Sequence, residues 1–260
     1  MAFGTLKGGT GKTTTAFNIS GILAEDHHVL MLDCDPQCNL SNDALADIVE
    51  PNTPSIRTVF EDGHTAPESV IMRSIIEGLP LLDIIPSSIY LVETEMVLIS
   101  RSGRESLLMN WLNRNAKFFE EYDYLIFDTN PSMGLVNQNV FVAADIINLV
   151  NDIGVNAILG AQLFIYLWEK RRFDLALDDN IKSLIINNAD RRIGLSKEIK
   201  NYILEDDELR ELLVLPEIPA RVSVKDTERM AAPINILKRG SEIDQLYREL
   251  IKNMIEKGAL

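Results

Sequence analysis

Short continuous apolar runs alternate along the chain with longer segments whose apolar residues recur at helical spacing. A short apolar run bounded by polar or glycine-rich residues is typical of a strand buried on both faces of a parallel sheet. The alternation predicts an α/β fold with three layers, in which helices flank a mostly parallel twisted sheet. The predicted strands cover residues 2–6, 29–32, 81–86, 122–128, 143–150 and 181–186.

The segments between these strands place apolar residues three or four positions apart, as amphipathic helices do. In the last of them, Ile243, Leu250 and Met254 share one face. Its polar face mixes acidic and basic residues without the basic excess of a lipid-surface helix, so we expect it to pack onto the domain. A single domain is predicted to span residues 1–260. The predicted helices cover 13–25, 43–49, 55–61, 67–77, 89–99, 107–112, 134–142, 156–173, 195–204 and 241–257.

A glycine-rich loop lies between the first predicted strand and the first predicted helix. Its glycines allow a tight turn that aims successive backbone N–H groups into one concavity, and the helix adds the positive end of its dipole. This combination binds phosphate. Lys12 would reach the β- and γ-phosphates of a nucleotide, and the Thr13 hydroxyl would bind Mg²⁺. The predicted nucleotide-binding loop is Lys7, Gly8, Gly9, Thr10, Gly11, Lys12, Thr13 and Thr14.

Two further predicted strands lead into aspartates. Asp33 and Asp35 follow the second strand, and Asp128 ends the fourth. Parallel strands bring their carboxyl ends to one edge of the sheet, where ligands collect in open α/β folds. Beside a phosphate loop, such carboxylates would hold Mg²⁺ with its waters and orient an attacking water. The sequence therefore predicts a metal site at this edge of the sheet, beside the phosphate loop.

The composition is ordinary for a soluble globular protein, with 46% hydrophobic and 25% charged residues among 260. The formal net charge of −14 opposes passive attraction to DNA or anionic lipid, so either partner would require a local basic patch. No apolar run approaches the roughly 20 residues that cross a bilayer, and no signal peptide precedes the loop, so a cytoplasmic location is expected. Cys34 and Cys38 are expected to be reduced thiols, because a zinc site usually needs about four ligands and the chain has only three histidines.

The glycine-rich loop, read together with the segment Asp-Cys-Asp-Pro-Gln-Cys-Asn-Leu at 33–40, resembles the ParA/Soj branch of the ParA/MinD ATPases. These are P-loop NTPases with a deviant Walker A loop that partition plasmids and chromosomes. The strand that ends in Asp128 resembles the family's Walker B motif, and the resemblance implies that Thr13, Asp33 and Asp128 form the metal site. The resemblance covers nearly the whole chain, and it is most specific over 7–40.

The resemblance implies a role for each matching residue. Lys7 matches the signature lysine, which reaches across a dimer to the partner's ATP, and Asp35 matches the switch I aspartate that positions the hydrolytic water. The implied catalytic residues are thus Lys7, Lys12 and Asp35, with ATP and Mg²⁺ as cofactors. The family usually has glycine where this chain has Cys38, which is expected to alter the flexibility of switch I but not the chemistry. It usually has proline where this chain has Asn130, so switch II is expected to respond differently to γ-phosphate.

The resemblance also implies where the base and DNA bind. A side-chain amide after the sixth strand often reads the adenine edge in the wider superfamily, which makes Asn187 the first candidate and Asn188 the second. Residues 214–221 resemble a segment whose backbone flanks the base, so Pro219 joins the predicted nucleotide site. ParA proteins bind DNA without sequence preference as ATP-bound dimers. The basic residues selected for this role are Arg191, Arg192, Arg221 and Lys225.

The implied function is ATP-dependent DNA partition by an enzyme that slowly hydrolyses ATP to ADP and phosphate. The chain would form an ATP-sandwich homodimer, bind non-specific DNA in the nucleoid, and be reset when a ParB-like centromere-binding protein stimulates hydrolysis. No membrane partner is expected. The alternative is a MinD-like membrane-cycling ATPase that regulates cell division or positioning. An iron–sulfur relative would need bridging cysteines after the switch regions, and the sequence has none there.

Overall fold

The computed structural model describes residues 1–189 and 195–260, without the side chains of 195–197 and 225. Within these ranges seven strands form one sheet, and every neighbouring pair is parallel. The predicted α/β fold is confirmed, with a sheet that is parallel throughout. The strands are β1 (Ala2–Gly4), β2 (Val29–Cys34), β3 (Leu82–Ile85), β4 (Tyr124–Thr129), β5 (Ile147–Asn151), β6 (Ile181–Ile186) and β7 (Leu213–Val214).

Helices cover both faces of the sheet, and two hydrophobic clusters lie between them and the strands. Along β2, Leu30 and Leu32 join one cluster while Val29 and Met31 join the other, as the alternation of side chains along a strand requires. A short 3₁₀ helix spans Pro67–Ser69. The α-helices are α1 (Lys12–Leu23), α2 (Asn39–Leu45), α3 (Ile56–Glu61), α4 (Leu91–Leu98), α5 (Leu107–Arg114), α6 (Ala116–Phe119), α7 (Leu135–Ala143), α8 (Val155–Asp174), α9 (Leu195–Glu205), α10 (Asp207–Leu212), α11 (Val222–Arg229), α12 (Ile234–Leu237) and α13 (Glu242–Lys257).

The strand order is β3-β2-β4-β1-β5-β6-β7, which places β1 at the centre of the sheet. The loop after β1 therefore leaves the sheet between the carboxyl ends of β4 and β5. Asp33 on β2 lies in register with Asp128 on β4, so the two aspartates end adjacent strands. This topology brings the phosphate loop and the predicted carboxylates to one edge of the sheet.

The last helix, α13, packs onto the sheet as predicted. Tyr247, Leu250 and Met254 are buried in the same cluster as the apolar residues of α1. Arg248 donates two hydrogen bonds of 2.8 Å to the Glu25 carboxylate, which ties α13 to the end of α1. Within the described ranges, no helix combines the length and apolarity needed to cross a bilayer.

The prediction of a helix over 67–77 is wrong beyond its first three residues. Met72 and Ile84 instead form an antiparallel bridge, with N–H···O distances of 2.8 and 2.9 Å. β3 is an edge strand, so its outer backbone groups need partners, and this segment supplies some of them. The second predicted helix is also displaced, because α2 begins at Asn39 rather than at 43.

Gly21→Ala is expected to destabilise the fold, because a Cβ at this position would collide with the ring of Pro233 and lie 2.9 Å from Asn235 Oδ1. Overpacking of this kind typically costs about 1–3 kcal/mol. Gly160→Ala is the matched control in another helix interior. Its Cβ would meet Lys7 Cβ at 3.9 Å, so the better helix propensity of alanine should add about 0.5–1 kcal/mol. Urea titrations would give both free energies of unfolding, and equal effects would contradict the packing of α1 against 233–235.

Candidate functional site

The phosphate loop joins β1 to α1 through two glycines in the left-handed region. Gly9 has a φ of 78° and Gly11 a φ of 80°, a conformation that favours glycine. A Cβ on Gly11 would also collide with the Asn187 amide. Gly11 is the N-cap of α1, and no side chain caps this end of the helix. The first N–H groups of α1 are therefore left for a ligand at the positive end of the helix dipole.

The loop lines an open cleft of about 400 Å³, which is within the range of small-molecule sites. Thr10 Oγ1 is buried there and finds no hydrogen-bond partner among the described residues. Such an orphaned hydroxyl indicates that a ligand supplies the missing partner. The lining residues are Thr5, Lys7, Gly8, Gly9, Thr10, Gly11, Lys12, Thr13, Thr14, Asp35, Gln37, Asn39, Asp43, Pro131 and Glu228.

A buried ion pair joins the loop to β4. The Lys12 ammonium contacts the Asp128 carboxylate, and both side chains are buried. Thr13 Oγ1 donates to the other Asp128 oxygen at 2.7 Å. Neither charge could be buried alone without a cost of several kcal/mol. The structure thus brings together the predicted phosphate lysine, the predicted metal hydroxyl and the Walker B aspartate.

Asp33 organises the loop that follows β2, which is switch I (residues 35–38). Its fully buried carboxylate accepts hydrogen bonds from Asp35 N at 3.0 Å, Ser41 N at 2.8 Å and Ser41 Oγ at 2.6 Å. Burial, reinforced by the nearby Asp128 carboxylate, raises the pKa of Asp33 to about 7. Asp33 is absent from the described lining of the cleft. In this structure it fixes the shape of switch I, and its place at the metal stays a prediction.

Asp35 faces the cleft from switch I, as predicted. One of its oxygens accepts the Gln37 N–H at 2.9 Å, and burial raises the pKa of its carboxyl. Cys38 ends the loop with a φ of 55°. This left-handed conformation explains the glycine that the family usually has there, and a non-glycine residue holds it at a cost of about 1–3 kcal/mol. Cys34 and Cys38 are both buried free thiols.

Asn130 gives switch II (residues 129–134) a set of hydrogen bonds that a proline could not make. Its side-chain oxygen accepts from Ser132 Oγ at 2.5 Å and from Asn137 Nδ2 at 2.9 Å. Asn137 Nδ2 also lies 2.8 Å from the backbone oxygens of Asn130 and Ser132. This departure from the family pattern therefore ties switch II to the first turns of α7.

Lys7 lies at the rim of the cleft and forms an ion pair with Asp152. Its ammonium is 2.5 Å from Asp152 Oδ2, and both side chains are partly exposed. Asp152 directly follows β5, so it occupies the same kind of strand end as Asp33 and Asp128. The sequence interpretation missed Asp152, although the rule that selected those two aspartates would have selected it too.

None of the predicted base-binding residues Asn187, Asn188 and Pro219 belongs to the described lining of the cleft. Asn187 is buried, and its Nδ2 donates to Gly11 O at 3.0 Å and to Thr15 Oγ1 at 3.2 Å. Its Oδ1 accepts from the backbone of Asn188 at 2.8 Å. Pro219 is bridged to Ala189 alongside β6. In this structure Asn187 braces the phosphate loop, and its contact with adenine stays a prediction.

The predicted DNA-binding residues are only partly placed. Arg191, Arg192 and the Lys225 side chain lie outside the described residues. Arg221 is exposed, and its guanidinium is 3.8 Å from the Glu242 carboxylate. The structure therefore locates one member of the set on the surface and leaves the set as a prediction.

Two carboxylates in the cleft had no sequence signal. Asp43 comes from α2 and Glu228 from α11, and both line the cleft. Thr14 Oγ1 donates to Glu228. Burial raises the pKa of Asp43 to about 7, and the negative charges of Glu228 and Asp128 add to that effect. Neither residue ends a strand or belongs to a glycine-rich motif, so only the fold reveals their position.

The residues present fit a magnesium nucleotide. The uncapped start of α1, the orphaned Thr10 hydroxyl and the Lys12 ammonium are donors for phosphate oxygens. Thr13 and Asp128 offer hard oxygen ligands 2.7 Å apart, which is the donor type that Mg²⁺ prefers.

Comparison with known proteins agrees with this site. Residues 1–182 match the protein family described as an AAA domain. The uncharacterised protein MJECL24 of Methanocaldococcus jannaschii is 31% identical over 261 residues, which cover 96% of this chain and 95% of that protein. The sporulation initiation inhibitor protein Soj of Bacillus subtilis is 26% identical over 97% of this chain and 96% of its own. The solved structure of a McdA variant from Cyanothece in complex with ATP has the same fold, with a TM-score of 0.83 at 20% identity over 97% of this chain and 95% of that one.

The two relatives and the solved structure match nearly the whole chain, and the family model matches its first 182 residues. The chain belongs to the ParA/MinD-type family of partition ATPases.

Proposed function

We propose that the chain is an Mg²⁺-dependent ATPase that partitions DNA, working as an ATP-bound homodimer on non-specific DNA. The observation that carries the proposal is the presence of two lysines at one cleft, each held by a carboxylate that phosphate oxygens can replace. Lys12 is held by Asp128, and Lys7 is held by Asp152. ATP in the solved structure of the McdA variant supports the assignment, and so does the similarity to the chromosome partitioning protein ParA of Caulobacter vibrioides.

The hydrolytic chemistry follows from the residues around the loop. Mg²⁺, when bound, would neutralise charge on the β- and γ-phosphates. Lys12 would exchange Asp128 for phosphate oxygens, and Asp128 and Thr13 would then hold the metal. Asp35 accepts a hydrogen bond from the attacking water and orients it. Asp33 keeps Asp35 in place through the Asp35 N–H. Slow turnover is expected from the resemblance to the partition ATPases.

Dimerisation would complete the site with a second lysine. Lys7 sits at the rim, and its neighbours on α8 expose apolar side chains, with Val155 52% and Leu159 55% accessible. Gly154 and Gly160 lie beside the Lys7 side chain, so this apolar surface begins at the lysine itself. A second copy that covered it would bury apolar area and bring each Lys7 to the partner's ATP. The membrane-cycling alternative gains nothing from α13, whose apolar face is already buried.

DNA binding must overcome the net charge of −14. Several basic side chains in the second half of the chain are paired with acids, including Lys200 with Glu217 at 2.7 Å and Arg229 with Asp226 at 3.1 Å. A monomer therefore has little net positive surface in this half of the chain. A dimer would present twice as many basic side chains to DNA. This makes affinity for DNA depend on ATP, and hydrolysis stimulated by a ParB-like centromere-binding protein would release the DNA.

Lys12→Ala is expected to weaken ATP binding by at least about tenfold, because it removes the charged donor to the phosphates. It also leaves Asp128 buried without its cation, which costs about 3–5 kcal/mol of stability. The double variant Lys12→Ala/Asp128→Asn should recover most of the stability without recovering ATP affinity. Calorimetric titration and urea unfolding would separate the two effects. Wild-type ATP affinity in a folded Lys12→Ala protein would contradict this placement of the phosphates.

Lys7→Ala is expected to retain ATP binding but to lose the ATP-dependent dimer, because its charge acts in the other copy. Asp152→Asn should favour the dimer about two- to fivefold, since it releases Lys7 from a partly exposed ion pair. Asp174→Asn, at the far end of α8, is the charge-matched control and should change nothing. Sedimentation velocity with ATP and with ADP would measure the dimer. If Lys7→Ala dimerised like the wild type, the trans role of Lys7 would be wrong.

The gel mobility of non-specific DNA tests whether the protein binds DNA only in its ATP-bound state. We expect retardation with ATP, and none with ADP or with Lys12→Ala. Arg221→Ala should lower the affinity for DNA and reduce the slope of its salt dependence by about 0.9 per phosphate contact in each dimer. Arg210→Ala is the matched control, because Arg210 is equally exposed, at 53%, but is bonded to Asp207 at 2.6 Å. DNA binding that ignored the nucleotide would rule out the partition function.

A further inference from the structure

Helix α11 forms one wall of the nucleotide cleft, and its Glu228 carboxylate contacts the phosphate-loop helix. Thr14 Oγ1 donates to Glu228 Oε1. Thr14 directly follows the predicted metal ligand Thr13, in the first turn of α1. In a P-loop, the backbone of this region cradles the α- and β-phosphates. Glu228 therefore lies where the nucleoside leaves the phosphate chain.

The position of Glu228 is fixed by the residue before it. Thr227 is fully buried, and its hydroxyl lies 3.5 Å from Asn18 Nδ2 on α1. Asn18 Oδ1 accepts the Ile234 N–H at 2.7 Å, which holds the start of α12 against the same helix. Thr14 and Asn18 are one helical turn apart on α1. The contacts of Glu228 and Thr227 thus follow one face of α1, and α11 is anchored just below the cleft.

A carboxylate at this point is unfavourable for the phosphates and favourable for a hydroxyl. Glu228 accepts hydrogen bonds but donates none when ionised, and it repels a nearby phosphate oxygen. The sugar is joined to the α-phosphate by one ester oxygen, so its 2′- and 3′-hydroxyls are the nearest donors that a nucleotide offers. Carboxylates bind ribose hydroxyls in this way in other nucleotide sites. Asp43, on α2, lines the same cleft and adds a further carboxylate to it.

We propose that Glu228 accepts a hydrogen bond from a ribose hydroxyl of the bound nucleotide, so that the site selects ribonucleotides over deoxyribonucleotides. Binding would transfer the Glu228 carboxylate from Thr14 to the sugar, leaving the Thr14 hydroxyl to donate to the α-phosphate. The inference rests on the proposed ATPase function, because it assigns the sugar of the same nucleotide.

The test compares the affinities of ADP, 2′-deoxyADP, 3′-deoxyADP and 2′,3′-dideoxyADP by calorimetric titration in the presence of Mg²⁺. Diphosphates are used so that neither hydrolysis nor ATP-dependent dimerisation enters the measurement. Wild-type protein should prefer ADP over the dideoxy form about tenfold or more, which is the range of a hydrogen bond to a charged acceptor. The two monodeoxy forms show which hydroxyl is read.

In Glu228→Ala the preference for ADP over the dideoxy form should fall to less than about threefold, because the acceptor is gone. Glu228→Gln keeps a carbonyl acceptor in nearly the same shape, so it should retain part of the preference. Asp226→Asn removes the same charge from the same helix. Its carboxylate is paired with Arg229 and does not line the cleft, so this control should keep the full preference.

Two results would overturn the inference. One is wild-type protein that binds ADP and dideoxyADP equally. The other is Glu228→Ala protein that loses affinity for all four nucleotides by the same factor, which indicates a structural role for Glu228. If Glu228→Ala does not fold, the wild-type series and Glu228→Gln decide the question. Failure of the wild type to bind any adenine nucleotide would instead refute the proposed ATPase, and the inference with it.

Discussion

The site depends on one electrostatic constraint, which is that Lys12 and Asp128 must be buried together. Asp128 is fixed by β4 and Lys12 by the start of α1, so the ion pair sets the phosphate loop against the Walker B strand. A buried charge is stable only with a partner of opposite sign. In the proposed function a nucleotide would satisfy this constraint by exchange, since its phosphates would become the partner of Lys12 and Asp128 would be free to hold the metal. Both charges would then remain neutralised when the ligand binds.

The sequence predicts the fold and the centre of the site well, for physical reasons that can be named. Buried parallel strands are continuous apolar runs, and the phosphate loop is local, so β2, Lys12 and Thr13 could all be placed without the structure. Residues that act through tertiary contacts could not. Glu228 reaches Thr14 from a helix more than two hundred positions away, and no local pattern marks it. The prediction of a helix over 67–77 is wrong because this segment pairs with β3, and only the strand order reveals that β3 lies at the edge of the sheet.

Asp33 and Asp35, at the end of β2, show how far a motif determines a role. Both are predicted to act at the metal or the water, yet the carboxylate of Asp33 accepts hydrogen bonds from Asp35 in switch I and from Ser41 in α2. Only Asp35 reaches the cleft. The sequence motif therefore gives the residue types that the site requires. The hydrogen bonds of the folded chain show that Asp33 holds the loop and that Asp35 faces the cleft. Asn187 shows the same division, because the amide that is predicted to bind adenine donates instead to the phosphate loop and to Thr15 in this structure.

Cys38 makes switch I chemically observable. Its thiol is 3% exposed, and burial raises its pKa to about 11, so it reacts with an alkylating reagent only when the loop opens. Cys34, which is fully buried within β2, provides the background rate of the closed core. The difference between the labelling rates of Cys38 and Cys34 would then measure how often switch I opens. A chain with the family's usual glycine at this position would offer no such native probe.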